Sequence, residues 1–402
     1  MMDRDAHMRR SARRTFVYGM ASCVILCMII AGSLELWARV IESRNISYGT
    51  VGWSDHGTLG WISTPGSGTA LTAEYEAHYD VNNYGMGDGP IEETAGVSKI
   101  KIMALGDSHT FAVGVSSSDA WPNVLERTLF AGDPMKGSVY NCAVAGYNLG
   151  QYLLQMRRLA PIIKPNIVLI GFTIASDLYD LIPPRKGGFV FGSDRGRVYF
   201  DLDDKGNLIE IRDLAGKALA TSPKVSLAGI FRNALNRSVF LKRFKRSKLA
   251  MWMMMNVRPH GKTLWASPDT AFAIRLDSEY EYRWLLARKL IEQISSEARA
   301  GGAKVVLVNI PYIPQVYDDV WAASYGRFPK DYDRFIAGDR LKQICKETGV
   351  YYVDVTVPMC NAVKKTNKWL HYHVDGHPNR EGHKIIAECV RKFLEDENLV
   401  AL

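Results

Sequence analysis

Lys99-Ile100-Lys101-Ile102-Met103-Ala104-Leu105-Gly106-Asp107-Ser108-His109-Thr110 is the stretch on which the fold turns. Its first seven residues read as a buried strand, and Gly106-Asp107 punctuates it at once. A helical pattern follows over Ala120–Phe130, with Trp121, Val124, Leu125 and Leu129 on one face. Gly137–Ala143 reads as a short strand and Gln151–Ile163 as a helix ended by Pro165. Ile167–Phe172 is a continuous apolar run, the mark of a strand covered on both faces. The alternation resumes with a helix over Ser278–Ala300, stopped by Gly301-Gly302, and a strand over Val305–Ile310. A helix over Asp331–Thr348, a strand over Val350–Val353 and a last helix over Glu381–Glu397 complete it. Strands alternating with helices predict a three-layer α/β/α sandwich around a mostly parallel sheet.

The chain is 402 residues long, with 47% hydrophobic and 23% charged residues, which is globular usage and excludes disorder throughout. Upstream of the α/β pattern, Thr15 to Leu34 is a 20-residue run without a charge. At 1.5 Å per residue a helix of that length matches the ~30 Å hydrocarbon core of a bilayer. Arg13-Arg14 precede it and Arg39 follows, so the positive-inside rule keeps the N-terminus in the cytoplasm and the rest outside it. The expected layout is a basic cytoplasmic tail over residues 1–14, a transmembrane anchor over 15–38, and a strand- and loop-rich lead-in over 39–98. The α/β domain then covers 99–402, with an insertion at about 182–277. A cleaved signal peptide is the alternative for the apolar run, although Ala31-Gly32-Ser33 makes a poor cleavage site.

The net charge of +8 is uneven. Residues 214–268 hold 11 Lys or Arg and no acid, and the first 14 residues hold five Arg against two Asp. The remainder carries 8 − 11 − 3 = −6, so the folded domain has no basic excess and nucleic-acid binding is excluded as a general function. Within the insertion, Phe189–Asp213 reads as hairpins with turns at Asp194-Arg195-Gly196 and at Asp204-Lys205-Gly206-Asn207. The basic stretch, with Phe240, Phe244 and Trp252 at near-helical spacing, has three readings: a cover over the cleft, a helix on anionic lipid, or a groove for an acidic glycan. Of the six cysteines, Cys142, Cys345, Cys360 and Cys389 lie in or beside apolar patterns and read as small hydrophobes, with a Cys345–Cys360 bridge open outside the cytoplasm.

Chemistry concentrates at two places. Ser108 follows the first strong strand, and ligands of parallel sheets bind beyond the carboxyl ends of strands. A nucleophilic serine needs a base and the base an orienting acid. His373-Val374-Asp375-Gly376-His377-Pro378-Asn379, before the last helix, offers Asp375 and His377 two apart. His371, His373, Asp375 and His377 alternate at spacing two, so an extended strand would align them like metal ligands. The Gly376-His377-Pro378 sequence argues against such a strand, and neither a metal nor a cofactor is expected. His109 and His383 read as structural or substrate-facing.

These blocks resemble the GDSL, or SGNH, superfamily of serine hydrolases over roughly residues 99–180 and 303–397. Gly106-Asp107-Ser108 matches its first block, Asn141 with Gly146 its second, and Asp375-Gly376-His377-Pro378-Asn379 its last. The resemblance implies a flavodoxin-like sheet and a Ser108–His377–Asp375 triad. It also implies an oxyanion hole from the N–H groups of Ser108 and Gly146, with Ser176 as a third donor. Two departures stand out. Ile174-Ala175-Ser176-Asp177 replaces the family's Gly-x-Asn-Asp, so a hydroxyl stands for an amide, and Ser176 also reads as a helix cap. One residue, not two, separates Asp375 from His377, a spacing familiar among polysaccharide O-acetyltransferase relatives. The expected function is membrane-anchored ester hydrolysis, with an acylated envelope glycan or lipid as substrate. O-acyl transfer to envelope polysaccharide is the alternative within enzymes, and a catalytically weak glycan-binding or assembly component the alternative outside them.

Overall fold

The computed structural model describes residues 18–40 except 21 and 24, 52–182 except 73, 197–211, 270–400, and the single positions 240, 244 and 249. The chain divides into two compact units, residues 1–47 with 223–257 and residues 48–222 with 258–402.

In the larger unit, β1 (Trp53–His56) pairs with β2 (Gly60–Ser63), and β3 (Gly66–Leu71) with β4 (Glu76–Val81), both antiparallel. The central sheet is built from β5 (Ile100–Gly106), β6 (Gly137–Asn141) and β7 (Ile167–Thr173). A small antiparallel hairpin of β8 (Tyr199–Leu202) and β9 (Leu208–Ile211) intervenes before β10 (Lys304–Ile310) and β11 (Tyr351–Asp354) complete the sheet. Its order is β11-β10-β7-β5-β6, and all four pairings are parallel. Taken in chain order the five strands lie 5-4-3-1-2, the flavodoxin-like arrangement with its switch point between β5 and β7. The predicted sheet is therefore parallel throughout rather than mostly so.

The side-chain period of two splits each strand between two cores. In β5, Ile102 and Ala104 join one core, and Met103 and Leu105 the other. Ile167 and Leu169 against Val168 and Ile170 do the same in β7, as do Val306 and Val308 against Val305 and Leu307 in β10. The helices Trp121–Phe130, Thr356–Thr366 and Arg380–Asp396 cover the first face, through Trp121, Leu125, Met359, Ile386 and Val390. Leu149–Ile163, Ser278–Ala300 and Ile336–Thr348 cover the second, through Tyr152, Leu153, Leu290, Ile291 and Leu341. Both faces of the sheet are thus dry, which is why the strands read as apolar runs rather than as alternation.

The structure departs from the sequence reading at several points, among them the following three. The helix expected from Asp331 begins at Ile336; before it, Tyr332 forms a bridge to Ala273 and the Asp331 carbonyl accepts the Ile274 N–H at 2.8 Å. Helix Thr356–Thr366 occupies a stretch for which no element is predicted. Pro358 looks like a breaker there but sits in the first turn, where its missing N–H has no intrahelical acceptor to lose. Cys345 and Cys360 are unpaired thiols, so the bridge between them does not form; burial pushes Cys345 up to about 12, and the Cys360 thiol donates to the Gln315 carbonyl.

The β8–β9 hairpin turns through Asp203–Asn207, with Gly206 at φ 78°, as its composition predicts. The turn at Asp194-Arg195-Gly196, the tail over 1–14 and most of the basic stretch 214–268 lie outside the described residues. In the smaller unit a helix runs over Tyr18–Val40, 23 residues of mean hydropathy 2.0, long and apolar enough to cross a membrane. Glu35, near its end, pairs with Arg39 at 2.8 Å and accepts the Phe240 N–H at 3.1 Å.

Candidate active site

Strand β5 delivers Ser108. Gly106 ends the strand, and the Asp107 carboxylate caps the one-turn helix Ser108–Phe111 by accepting the His109 N–H at 2.9 Å. Thr110 packs its side chain where a Cβ would stand on Gly106 of β5 and on Gly171 of β7. Both positions therefore need glycine, and the one-turn helix seats directly on the switch point. The serine side chain is left half-buried beyond the strand ends.

The second part of the site is the loop before the helix Arg380–Asp396. His371 and Pro378 form a bridge, the Tyr372 N–H donates to the His377 carbonyl at 2.9 Å, and the Gly376 N–H donates to the Tyr372 carbonyl at 3.1 Å. The loop turns at Gly376, whose φ of 88° suits glycine. It is a closed turn and not an extended strand, so its four alternating groups do not converge as ligands. Among the described residues no three His, Cys, Asp or Glu side chains could hold a metal ion. Asn379 fixes the loop's exit by accepting the N–H groups of Glu381 and Gly382 and donating to the Trp369 carbonyl at 2.8 Å.

This turn carries His377 to Ser108. The imidazole Nε2 lies 2.7 Å from Ser108 Oγ, and Nδ1 lies 2.5 Å from Asp375 Oδ1. A carboxylate can only accept, so Nδ1 carries the proton and Nε2 is left to accept from the serine hydroxyl. Burial pushes the Asp375 carboxyl up; the hydrogen bond and charge of His377, with the hydroxyl of Tyr75, outweigh it and hold the group below the usual carboxylate range. Residues from across 269 positions thus meet in one hydrogen-bonded line.

The structure places the remaining expected residues as follows. Gly146 sits at φ 82° in the loop after β6, which is tied to β5 where the Val144 N–H donates to the Gly106 carbonyl at 3.2 Å. Among the described residues, the N–H groups of Ser108 and Gly146 have no acceptor. Asn141 is buried and donates to the Thr110 carbonyl at 3.2 Å, joining the second block to the serine helix. Ser176 is in the same cluster, but its hydroxyl donates to Asp107 Oδ2 at 2.7 Å. It does not cap its helix; that position belongs to Thr173. Asp177 is buried, accepting from the Tyr152 hydroxyl at 2.7 Å and the Thr173 N–H at 2.8 Å. Burial and the nearby Asp107 charge push its carboxyl well above the usual range.

Three further imidazoles surround His377. His109 lies against it with ring centroids 4.8 Å apart and its Nδ1 3.5 Å from Asp107 Oδ2. His371 and His383 are buried behind, and burial, reinforced by neighbouring imidazoles, pushes both down to about 3. Both are therefore neutral near pH 7. Glu74 and Tyr75 also reach the site, from a segment where the sequence shows no motif.

No family model matches the chain, and no curated protein does. Several solved structures are similar. An α/β hydrolase from the metagenome of Lake Arreo, Spain, is 13% identical at a TM-score of 0.38, covering 77% of this chain and 100% of its own. A catalytic mutant of an acetylxylan esterase from Geobacillus stearothermophilus is 13% identical at 0.37, with coverages of 76% and 98%. A psychrotrophic esterase from Pseudoalteromonas sp. is 11% identical at 0.35, with coverages of 74% and 98%. Likeness at this level does not extend to activity.

Proposed function

We propose that this chain is a serine ester hydrolase held at a membrane by its N-terminal helix. One observation carries the reading: Ser108 Oγ, His377 Nε2 and Nδ1, and Asp375 Oδ1 stand in line at 2.7 and 2.5 Å. In this mechanism Ser108 Oγ attacks the ester carbonyl carbon while His377 Nε2 takes the serine proton. The C=O electrons move onto oxygen, and the N–H groups of Ser108 and Gly146, which have no acceptor among the described residues, are the donors for that charge. Donors of this kind are worth ~10²–10³ in rate each. Collapse expels the alkoxide, which receives the proton from His377. Water then repeats the sequence on the acyl-serine and frees the acid. Asp375 holds the imidazole in the required tautomer and stabilises its charged form.

Ser176 enters this scheme as a third donor only by exchanging Asp107 for the oxyanion. Its rate contribution is accordingly smaller than that of the two backbone groups.

The anchor over residues 15–38 places the N-terminal tail inside the cytoplasm and the α/β domain outside, where the acyl groups of envelope glycans or lipids are the available esters. The same acyl-serine, met by a sugar hydroxyl in place of water, gives acyl transfer. A fluorophosphonate probe and a panel of acyl esters and acetylated sugars, with and without an acceptor glycan, test the scheme on the full chain. Labelling and turnover that vanish in Ser108→Ala support it, and turnover that survives refutes it. A C-terminal reporter that signals from the cytoplasm refutes the topology.

A further inference from the structure

The loop that carries Asp375 and His377 is held from outside the α/β pattern. Glu74 and Tyr75 belong to the lead-in segment, 300 positions before the groups they touch. They sit in the turn between β3 and β4, whose register pairs Leu71 with Glu76. The turn is itself fixed: the Thr72 hydroxyl accepts the N–H groups of Glu74 and Tyr75, each at 3.1 Å, and the Thr72 N–H donates to the Tyr75 carbonyl at 2.9 Å.

From this turn two side chains reach the loop. The Glu74 carboxylate accepts the Val374 N–H at 3.0 and 3.1 Å and the Asp375 N–H at 2.8 Å. The Tyr75 hydroxyl donates at 3.1 Å to Asp375 Oδ2, the oxygen that His377 does not use. The Tyr75 ring rests on Tyr372, with centroids 4.8 Å apart, and the Tyr372 hydroxyl donates to the Gly114 carbonyl at 2.9 Å. Each carboxylate oxygen of Asp375 therefore has its own donor, which fixes the plane of the group toward His377.

We propose that Tyr75 and Glu74 are positioning residues for the acyl chemistry: Glu74 sets the loop backbone, and Tyr75 orients the Asp375 carboxylate. The proposal rests on the reading of Ser108, His377 and Asp375 as the reacting set. Removing the Tyr75 hydroxyl takes a stabilising donor from the ionised acid and leaves its plane free to turn. The titratable groups facing Tyr75 and Asp375 are His377, Tyr372 and Tyr79, with Glu74 at the loop backbone; the substitution alters none of them.

The test uses the full chain in detergent. Tyr75→Phe keeps the ring contact and should lower kcat about tenfold, the loss expected for one hydrogen bond to a charged group, with KM changing less than about twofold. Glu74→Ala should lower kcat comparably, and Glu74→Gln, whose amide oxygen still accepts, should recover most of the loss. The downfield Nδ1–H proton resonance of His377, assigned by its absence in His377→Gln, reads the same contact without turnover and should move in Tyr75→Phe. Unchanged kcat and resonance in Tyr75→Phe overturn the proposal, as does a lowered melting temperature with kcat untouched. If the wild-type chain turns over no ester while the resonance still responds to Tyr75, the hydrolase reading falls and the positioning role stands.

Discussion

Replacing Asp375 by asparagine keeps its shape and removes one acceptor, and the consequences follow from its two neighbours. His377 Nδ1 lies 2.5 Å from Oδ1 and the Tyr75 hydroxyl 3.1 Å from Oδ2. Both neighbours donate, and an amide has one oxygen to offer. If that oxygen serves Tyr75, the amide nitrogen faces Nδ1 and drives the imidazole to the tautomer whose Nε2 carries hydrogen. Such a ring faces Ser108, 2.7 Å away, as a donor and cannot take its proton. If the oxygen serves His377, Tyr75 must turn its proton elsewhere. The wrong tautomer is worth about 10⁴ in kcat in a serine–histidine–aspartate triad, so Asp375→Asn should lose about 10³–10⁴. That is less than removing Ser108 or His377, which act as a unit. Tyr75→Phe added to Asp375→Asn removes the competing donor, frees the amide to flip, and should recover several-fold of the loss. Steady-state hydrolysis of a chromogenic short-chain ester by the four proteins of this cycle measures both effects. Asp375→Asn within tenfold of wild type, or a strictly multiplicative double variant, refutes the tautomer reasoning.

Three other outcomes are expected. Ser176→Ala takes a hydrogen bond from the buried Asp107 carboxylate, so its melting temperature should fall while kcat drops less than tenfold; Ser176→Asn, with longer reach, should preserve kcat if the oxyanion is within its range. Gly171→Ala drives a methyl into Thr110 and should cost about 1–3 kcal/mol and most of the activity, and Thr110→Ala in the same chain should restore much of both, which urea melts and turnover together will show. His371 and His383 have folded values near 3, below their unfolded value, so the stability they contribute is complete above about pH 6.5 and is lost as pH falls toward 3. Urea midpoints should therefore drop between pH 7 and 5, by less in His383→Leu; equal slopes in both proteins would refute the assignment.

The sheet was legible because its strands are dry on both faces, so Ile102 through Leu105 and Ile167 through Phe172 appear as runs without a polar side chain. The residues brought to the switch point were legible too: Ser108 directly follows a strand, and Asp375 and His377 directly precede a helix whose cap, Asn379, is written beside them. Ser176 was readable as a member of the cluster but not as the partner of Asp107, since both are short polar side chains separated by 69 positions. Glu74 and Tyr75 carried no signal. They lie in a tight turn of a segment without helical period, and their role exists only through contacts 300 positions away. Helix Thr356–Thr366 carries Pro358 in its first turn, and composition does not tell a first-turn proline from a breaker.

The spacing of one residue between Asp375 and His377 and the presence of Glu74 belong together. Within the turn, the Tyr372 N–H donates to the His377 carbonyl and the Gly376 N–H to the Tyr372 carbonyl. The N–H groups of Val374 and Asp375 point away from the turn's own carbonyls, at the place where the acid must be held still. Left to water, they would let the short loop breathe, and a shift of even ~1 Å at a reacting group is costly in rate. One carboxylate facing two adjacent N–H groups closes that gap with charge-assisted bonds, stronger than those a neutral acceptor supplies. A tight acid–base turn of this kind cannot set its own geometry. On the proposed mechanism the segment from 74 to 79 therefore supports the candidate site, through Glu74 and Tyr75 at the loop and through Tyr79, whose hydroxyl accepts the Gly114 N–H at 2.8 Å behind Tyr372.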